Sequence, residues 1–144
     1  MPKMIFVNLP VKDIARSTAF YESVGATKNP MFSNEDTSCM VYSDAIYSML
    51  MTHERFSSFT TRKIVDAHTT LQVGLCLTVD SRAEVDQTIA NAIKAGGTPD
   101  PDPAQDHGFM YGRSFADPDG HIWEIVWMDA DAAANGPPET SNAA

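Results

Sequence analysis

The sequence predicts an α+β domain made of two βαβββ modules in succession. Three observations carry this expectation: the order of strand-like and helix-like segments occurs twice, each occurrence places a capped helix behind an apolar run, and the second closes on Asp117-Pro118-Asp119-Gly120, a strong hairpin signal, followed by a strand. With 144 residues and 43% hydrophobic content, the chain suffices for one ordinary domain, or for two small units sharing a core.

In the first module, Met4 to Val11 is a short apolar run that predicts a strand. Asp13 follows as a helix N-cap, Ile14, Ser17, Tyr21 and Val24 recur at helical spacing, and Gly25 stops the helix. A strand is expected near Met31 to Ser33, then two more in TSCMVYSDAIYSMLMT, residues 37–52, around a Ser43-Asp44-Ala45 turn. Residues 53–70, HERFSSFTTRKIVDAHTT, lose the periodicity and predict a polar linker long enough for a lid or a crossover.

The second module repeats the order. LQVGLCLTV, Leu71 to Val79, predicts a strand, and Ser81 with Glu84 three residues later forms a capping box. Val85, Ile89 and Ile93 mark the buried stripe of a helix that ends at Gly96-Gly97, a C-terminal stop rather than a phosphate cradle. A Pro-rich loop leads to GFMYGRSF, the Asp-Pro-Asp-Gly turn and HIWEIVWM. Val11 corresponds to Val79 ahead of each helix, and the turn at 43–46 corresponds to 118–121, which reads as a divergent duplication. The expected organisation is one domain over residues 1–129, made of module 4–52, linker 53–70 and module 71–129, with a disordered tail at 130–144.

Charge narrows the partners. A formal net charge of −9, with ten Lys and Arg in no cluster, repels phosphate backbones and anionic lipids, so neither nucleic acid nor membrane is expected. No segment reaches the roughly 18 apolar residues of a membrane span, and no signal peptide is read at the start, which predicts a cytoplasmic protein. Cys39 and Cys76 lie in apolar segments without Cys-x-x-Cys spacing, which suits reduced thiols.

VNLPVKDIARSTAFYESVGA near the start and SFADPDGHIWEIVW near the end, set in paired βαβββ units, resemble the vicinal oxygen chelate superfamily over about residues 4 to 129. That superfamily includes glyoxalase I, the bleomycin- and fosfomycin-resistance proteins and the extradiol dioxygenases; bacterial proteins labelled as lactoylglutathione lyases look nearest. The resemblance implies the glyoxalase/bleomycin-resistance fold, with the two modules forming a concave mixed-sheet cleft, and it implies a homodimer. It also implies, in the metal-dependent members, a divalent ion held by four strand residues, one from the first and one from the last strand of each module. Carried over, those positions are Phe6, Met49, Gly74 and Glu124. Glu124 is the only matching ligand, and one carboxylate with Phe, Met and Gly does not hold a catalytic ion. His53, His68, His107 and His121 read as loop or surface residues, and strand alternation sends His121 away from Glu124.

Alternation then assigns a ligand-binding face. If Glu124 points into the cleft, Ile122 and Val126 go with it, while Trp123, Ile125 and Trp127 pack under the helix. Phe6 and Asn8 face the cleft from the first strand, Met49 and Met51 from a hairpin strand, and Gly74, Cys76 and Thr78 from the second module. This largely apolar wall with a few polar groups suits a small organic ligand. Arg113 has two possible places: a two- or four-residue loop sets it opposite Glu124, with Tyr111 on the same face, whereas a one-residue shift sets Ser114 there and turns Arg113 over. On the first register Arg113 and Tyr111 orient a carboxylate or phenolate ligand, and Glu124 is a candidate general base.

Two functions follow as expectations. One is a protein without cofactor that binds a small hydrophobic or aromatic molecule; the other is an enzyme, either a metal-dependent lactoylglutathione lyase-like protein or a metal-independent relative with other chemistry.

Overall fold

The computed structural model describes residues 2–138, and the chain divides into two compact units. One comprises Met1–Thr70 with Pro118–Gly120, the other Leu71–Asp117 with His121–Ala144. The division falls at Thr70, and residues 53–70 group with the first unit.

The first unit contains β1 (Ile5–Val11), α1 (Ile14–Ser23), β2 (Thr27–Lys28), β3 (Thr37–Val41), β4 (Ile46–Thr52) and α2 (His53–Ser57). Its sheet runs β1-β4-β3-β2, with β1 parallel to β4 and the other pairs antiparallel. Alternation along β1 buries Leu9 and Val11 and leaves Phe6 and Asn8 exposed. Phe20 and Tyr21 of α1, with Met40 and Leu50, complete the deeply buried set. Each such side chain contributes about 1.5–3 kcal/mol on leaving water. Asp13 caps α1 by accepting from Arg16 N at 3.0 Å, and Asp119 accepts from Lys12 N at 2.8 Å and from Ser17 Oγ at 3.2 Å. At neighbouring Gly120 a side chain is doubly opposed: φ is +95°, and a Cβ would stand 2.6 Å from the His68 nitrogen.

The second unit contains β5 (Leu75–Thr78), α3 (Arg82–Lys94), β6 (Thr98–Pro99), β7 (Gln105–Asp106), β8 (Met110–Ala116), β9 (Ile122–Met128) and α4 (Ala130–Asn135). The sheet runs β5-β9-β8-β6 with β7 also on β8, and β5 is parallel to β9. Ser81 Oγ accepts from Glu84 N at 3.1 Å, while Glu84 reaches back to Asp80 N at 3.2 Å, one residue before the cap. Phe115, Trp123 and Ile125 share a sheet face and are buried, as are Val85, Ile89 and Ala92 of α3.

Several expectations need correction. The strand near Met31–Ser33 is a 3-10 turn over Pro30–Phe32; Asn29 caps it through Met31 N, Pro30 suits its first turn, and the short β2 takes the strand's place. The polar linker opens with α2, capped by Thr52. The strand from Leu71 shrinks to Leu75–Thr78, because β9 pairs with it only from Trp123 onward. Ile93 is exposed, and Ala92, three residues beyond Ile89, completes the buried stripe. The tail begins as helix α4, where Asp129 caps Ala132 N at 2.7 Å and Ala132 is buried; the expectation of disorder at 139–144 lies outside the described residues.

The turn decides the register. Asp117 N donates to His121 O, and the Asp117 carboxylate accepts from His121 N, both at 2.8 Å. Pro118, Asp119 and Gly120 then form a three-residue loop with its last residue at positive φ, where three-residue hairpin loops commonly carry a glycine. An odd loop pairs Ala116 with Ile122 and Ser114 with Glu124.

Candidate functional site

Glu124 lies at the middle of β9, and its register neighbours are Ser114 on β8 and Cys76 on β5. Opposed residues share a face, so Met110, Gly112 and Ser114 lie with Glu124, Val126, Cys76 and Thr78. Gln105, opposite Gly112, joins them from β7. Glycine keeps the surface low here, since a Cβ at Gly112 would stand 3.2 Å from Val126 Cγ2. The result is a shallow, solvent-open hollow bordered by Pro103, Gln105, Met110, Gly112, Glu124 and Val126, with Ser114 and part of Arg113 also contributing to its lining.

Polar groups in this hollow are unequally satisfied. Ser114 is buried and doubly bonded, accepting from Asp102 N at 3.0 Å and donating to Asp102 O at 3.2 Å, which fastens the 100–103 segment over it. Glu124 is half-buried and makes no hydrogen bond or ion pair with any described residue. Its charge is felt by Cys76, whose thiol is pushed up first by desolvation and then by the Glu124 carboxylate. Cys76 therefore stays protonated near neutrality and is no ready nucleophile.

Arg113 and Tyr111 occupy the opposite face, with Ile125 and Trp127. The expectation that they flank Glu124 is corrected by the odd-length loop, which inverts strand parity. Arg113 grips Asp100 through two bonds of 3.1 and 2.8 Å and reaches Asp86 of α3 at 3.1 Å. Tyr111 Oη donates to Asp86 at 2.6 Å, and this bond, followed by Arg113, draws the Asp86 carboxyl down. Asp100 is lowered chiefly by Arg113, and Tyr111 is raised by Asp86. Beside them Arg82 holds Asp106 at 2.9 and 3.0 Å and lies over the rings of Tyr111 and Trp127, at 5.2 and 5.1 Å. These two arginines pin both ends of the segment carrying Pro103 and Gln105.

In the first unit, Phe6, Asn8, Met49 and Met51 share a sheet face, as alternation predicts. Phe6 stacks on Tyr47 at 4.5 Å with planes 9° apart, leaving Phe6 46% exposed. Met49 is half-buried, whereas Met51 and Cys39 are buried and belong to the packing. Tyr47 was missed, although its alternation with Met49 signalled it. Gly112, Met110 and Gln105 were missed because their face depends on the hairpin register.

Donor chemistry does not fit a catalytic divalent ion at the expected positions. Phe6 and Gly74 have no donor atom, Met49 offers only a thioether, and Glu124 is the one carboxylate. Among the described residues no three His, Cys, Asp or Glu side chains cluster closely enough to hold a metal. Nor is any described helix long and apolar enough to cross a membrane.

Mixed sheets of this topology, each carrying one crossover helix, define the class, and the sequence places the chain within it: the chain belongs to the Glyoxalase/Bleomycin resistance protein/Dioxygenase superfamily, whose family model matches residues 3–125. Among solved structures, the chain is similar to a hypothetical protein from S. aureus, with TM-score 0.73 and 24% identity over 88% of this chain and 94% of that one. It is similar to a glyoxalase/bleomycin resistance protein/dioxygenase family enzyme from Burkholderia phytofirmans, with TM-score 0.71 and 20% identity over 89% and 100%. A bleomycin resistance determinant encoded on the transposon Tn5 gives TM-score 0.60 and 16% identity over 89% and 99%. No curated protein matches the chain by sequence. At these identities the solved structures establish the fold and nothing finer.

Proposed function

We propose that the protein binds a small organic molecule of hydrophobic or aromatic character in the hollow around Glu124, without the metal chemistry of the glyoxalases. The observation that supports this most is the carboxylate without a hydrogen bond or ion pair among the described residues, set beside Met110, Gly112, Val126 and Pro103 in a lining that Gln105, Ser114 and Arg113 complete. Separately, the first unit's Phe6–Tyr47 stack, with Asn8 and Met49 on the same sheet face, is a flat aromatic surface of its own. Family membership favours a homodimer, and two free cysteines in an acidic chain favour the cytoplasm.

A metal-dependent, lyase-like enzyme is the competing reading. Its support is family membership and Glu124 at a ligand position, against three positions without a suitable donor. Metal analysis of the purified protein separates the two: sub-stoichiometric metal is expected, and one equivalent of nickel, zinc, iron or manganese per chain overturns the proposal. A thermal-shift screen of aromatic compounds then tests binding, since a ligand of the folded state raises Tm. Loss of the shift in Glu124→Gln is the expected result; an undiminished shift moves the ligand elsewhere.

A further inference from the structure

We infer that the ligand of this hollow is a small organic cation, a primary ammonium or amidinium on a compact apolar body, with its charged group on Glu124. The inference rests on the reading of the hollow as a ligand site and adds the sign of the ligand's charge. Three features carry it.

The first is the state of Glu124: half-buried, without hydrogen bond or ion pair among the described residues, and close enough to Cys76 to raise its thiol. A carboxylate in this setting has lost part of its hydration and gained no partner, so a cationic donor restores what is missing. The second is the location of the unit's neighbouring cations. Arg113 and Arg82 are committed to Asp100, Asp86 and Asp106; Arg113 contributes to the lining of the hollow, but its guanidinium is held by Asp100 and Asp86. An anionic ligand therefore meets a bare carboxylate and no free guanidinium, inside a chain of net charge −9.

The third is the remaining lining. Ser114 is already satisfied by Asp102, which leaves the Gln105 amide, itself without a hydrogen-bond partner, as the second polar contact. Met110 and Val126 offer adaptable apolar surface above the floor opened by Gly112.

The test is a titration of the full-length, nitrogen-15-labelled protein, followed by two-dimensional NMR, with three probes of matched shape: 2-phenylethylamine, 2-phenylethanol and 3-phenylpropionate. Saturating shifts at the amides of Gly112, Ser114, Glu124 and Val126 are expected, with the amine bound roughly three- to tenfold more tightly than the alcohol and the acid weakest. In Glu124→Gln the amine's advantage over the alcohol should vanish while shifts outside the hollow stay unchanged, showing an intact fold. Equal binding of alcohol and amine, or a persisting amine preference in Glu124→Gln, overturns the charge inference and leaves the ligand site standing. No shift at those amides with any probe overturns both. Stoichiometric manganese that broadens the Glu124 and Cys76 amides also overturns the cation, in favour of a metal.

Discussion

The two units share a topology and differ in what their outward side chains leave unsatisfied. In the first, the face bearing Phe6, Tyr47 and Met49 is aromatic and thioether surface, and its polar bonds serve local ends such as the capping of α1 by Asp13. In the second, one face is cross-linked by Arg82, Arg113 and three aspartates, while the other holds a carboxylate with no partner. What the two units have in common is the strand order and the helix caps, which are backbone requirements. Where they differ is surface chemistry, which the backbone does not dictate. The contrast also separates stability from recognition, since partly exposed ion pairs are each worth at most about 1 kcal/mol and the apolar sets buried under each helix outweigh them.

The largest effect expected is at Gly120, where the first unit accepts three residues from the hairpin tip. Gly120→Val combines strain at φ +95° with a clash against the His68 backbone and should cost roughly 3 kcal/mol or more by urea denaturation. A cost below about 1 kcal/mol would show that the 66–68 segment yields. Next come matched core truncations, Leu50→Ala in the first unit and Ile89→Ala in the second, both at fully buried positions. Each should lose about 2–5 kcal/mol, and a large disparity between them would break the picture of two comparable cores.

Arg113→Met sharpens the comparison from the polar side. Hydrogen exchange of residues 100–106 should quicken while the first unit is unchanged, with a global cost of about 1 kcal/mol or less. The pH dependence has a definite sign. Asp86 and Asp100 are lowered from 3.8 in the fold, so they bind fewer protons there than in the unfolded chain. Their stabilisation is present above about pH 4 and is lost as pH falls through the depressed values. Arg113→Met should therefore flatten the acid limb of the stability curve, and an unaltered limb would assign it to other carboxylates. The smallest effect is Glu124→Gln, expected within about 0.5 kcal/mol of the parent because the carboxylate has no partner to lose. The same substitution should lower the Cys76 pKa without bringing it down fully, since desolvation is the larger cause; the pH profile of its alkylation rate reads this out.

What was legible in the sequence was local chemistry. Asp13, Gly25, Ser81 with Glu84, and Gly96 announce helix ends because each meets a backbone requirement within a few residues of itself. The pairing of Phe6 with the Met49 face followed from alternation alone. Arg113 shows where that reasoning stops. Its side depends on whether Asp117 pairs with His121 across a three-residue loop, and the two Asp117–His121 bonds show that it does. The sequence leaves two registers open, an even loop and a one-residue shift, and the shifted one is found: a Gly closes a three-residue loop, which carries Arg113 and Tyr111 across the sheet. Asp86 and Asp100, which hold Arg113, come from a helix and a loop that no strand period connects to it.

Cys76 gives the hollow a chemical consequence beyond binding. An exposed thiol is ordinarily a target for peroxides and electrophiles, which attack the thiolate. Desolvation is the main suppressor of that form, and the charge on Glu124 adds to it. Neutralising Glu124 therefore removes the smaller of two causes: the thiol becomes somewhat more acidic, and desolvation still holds it above its ordinary value.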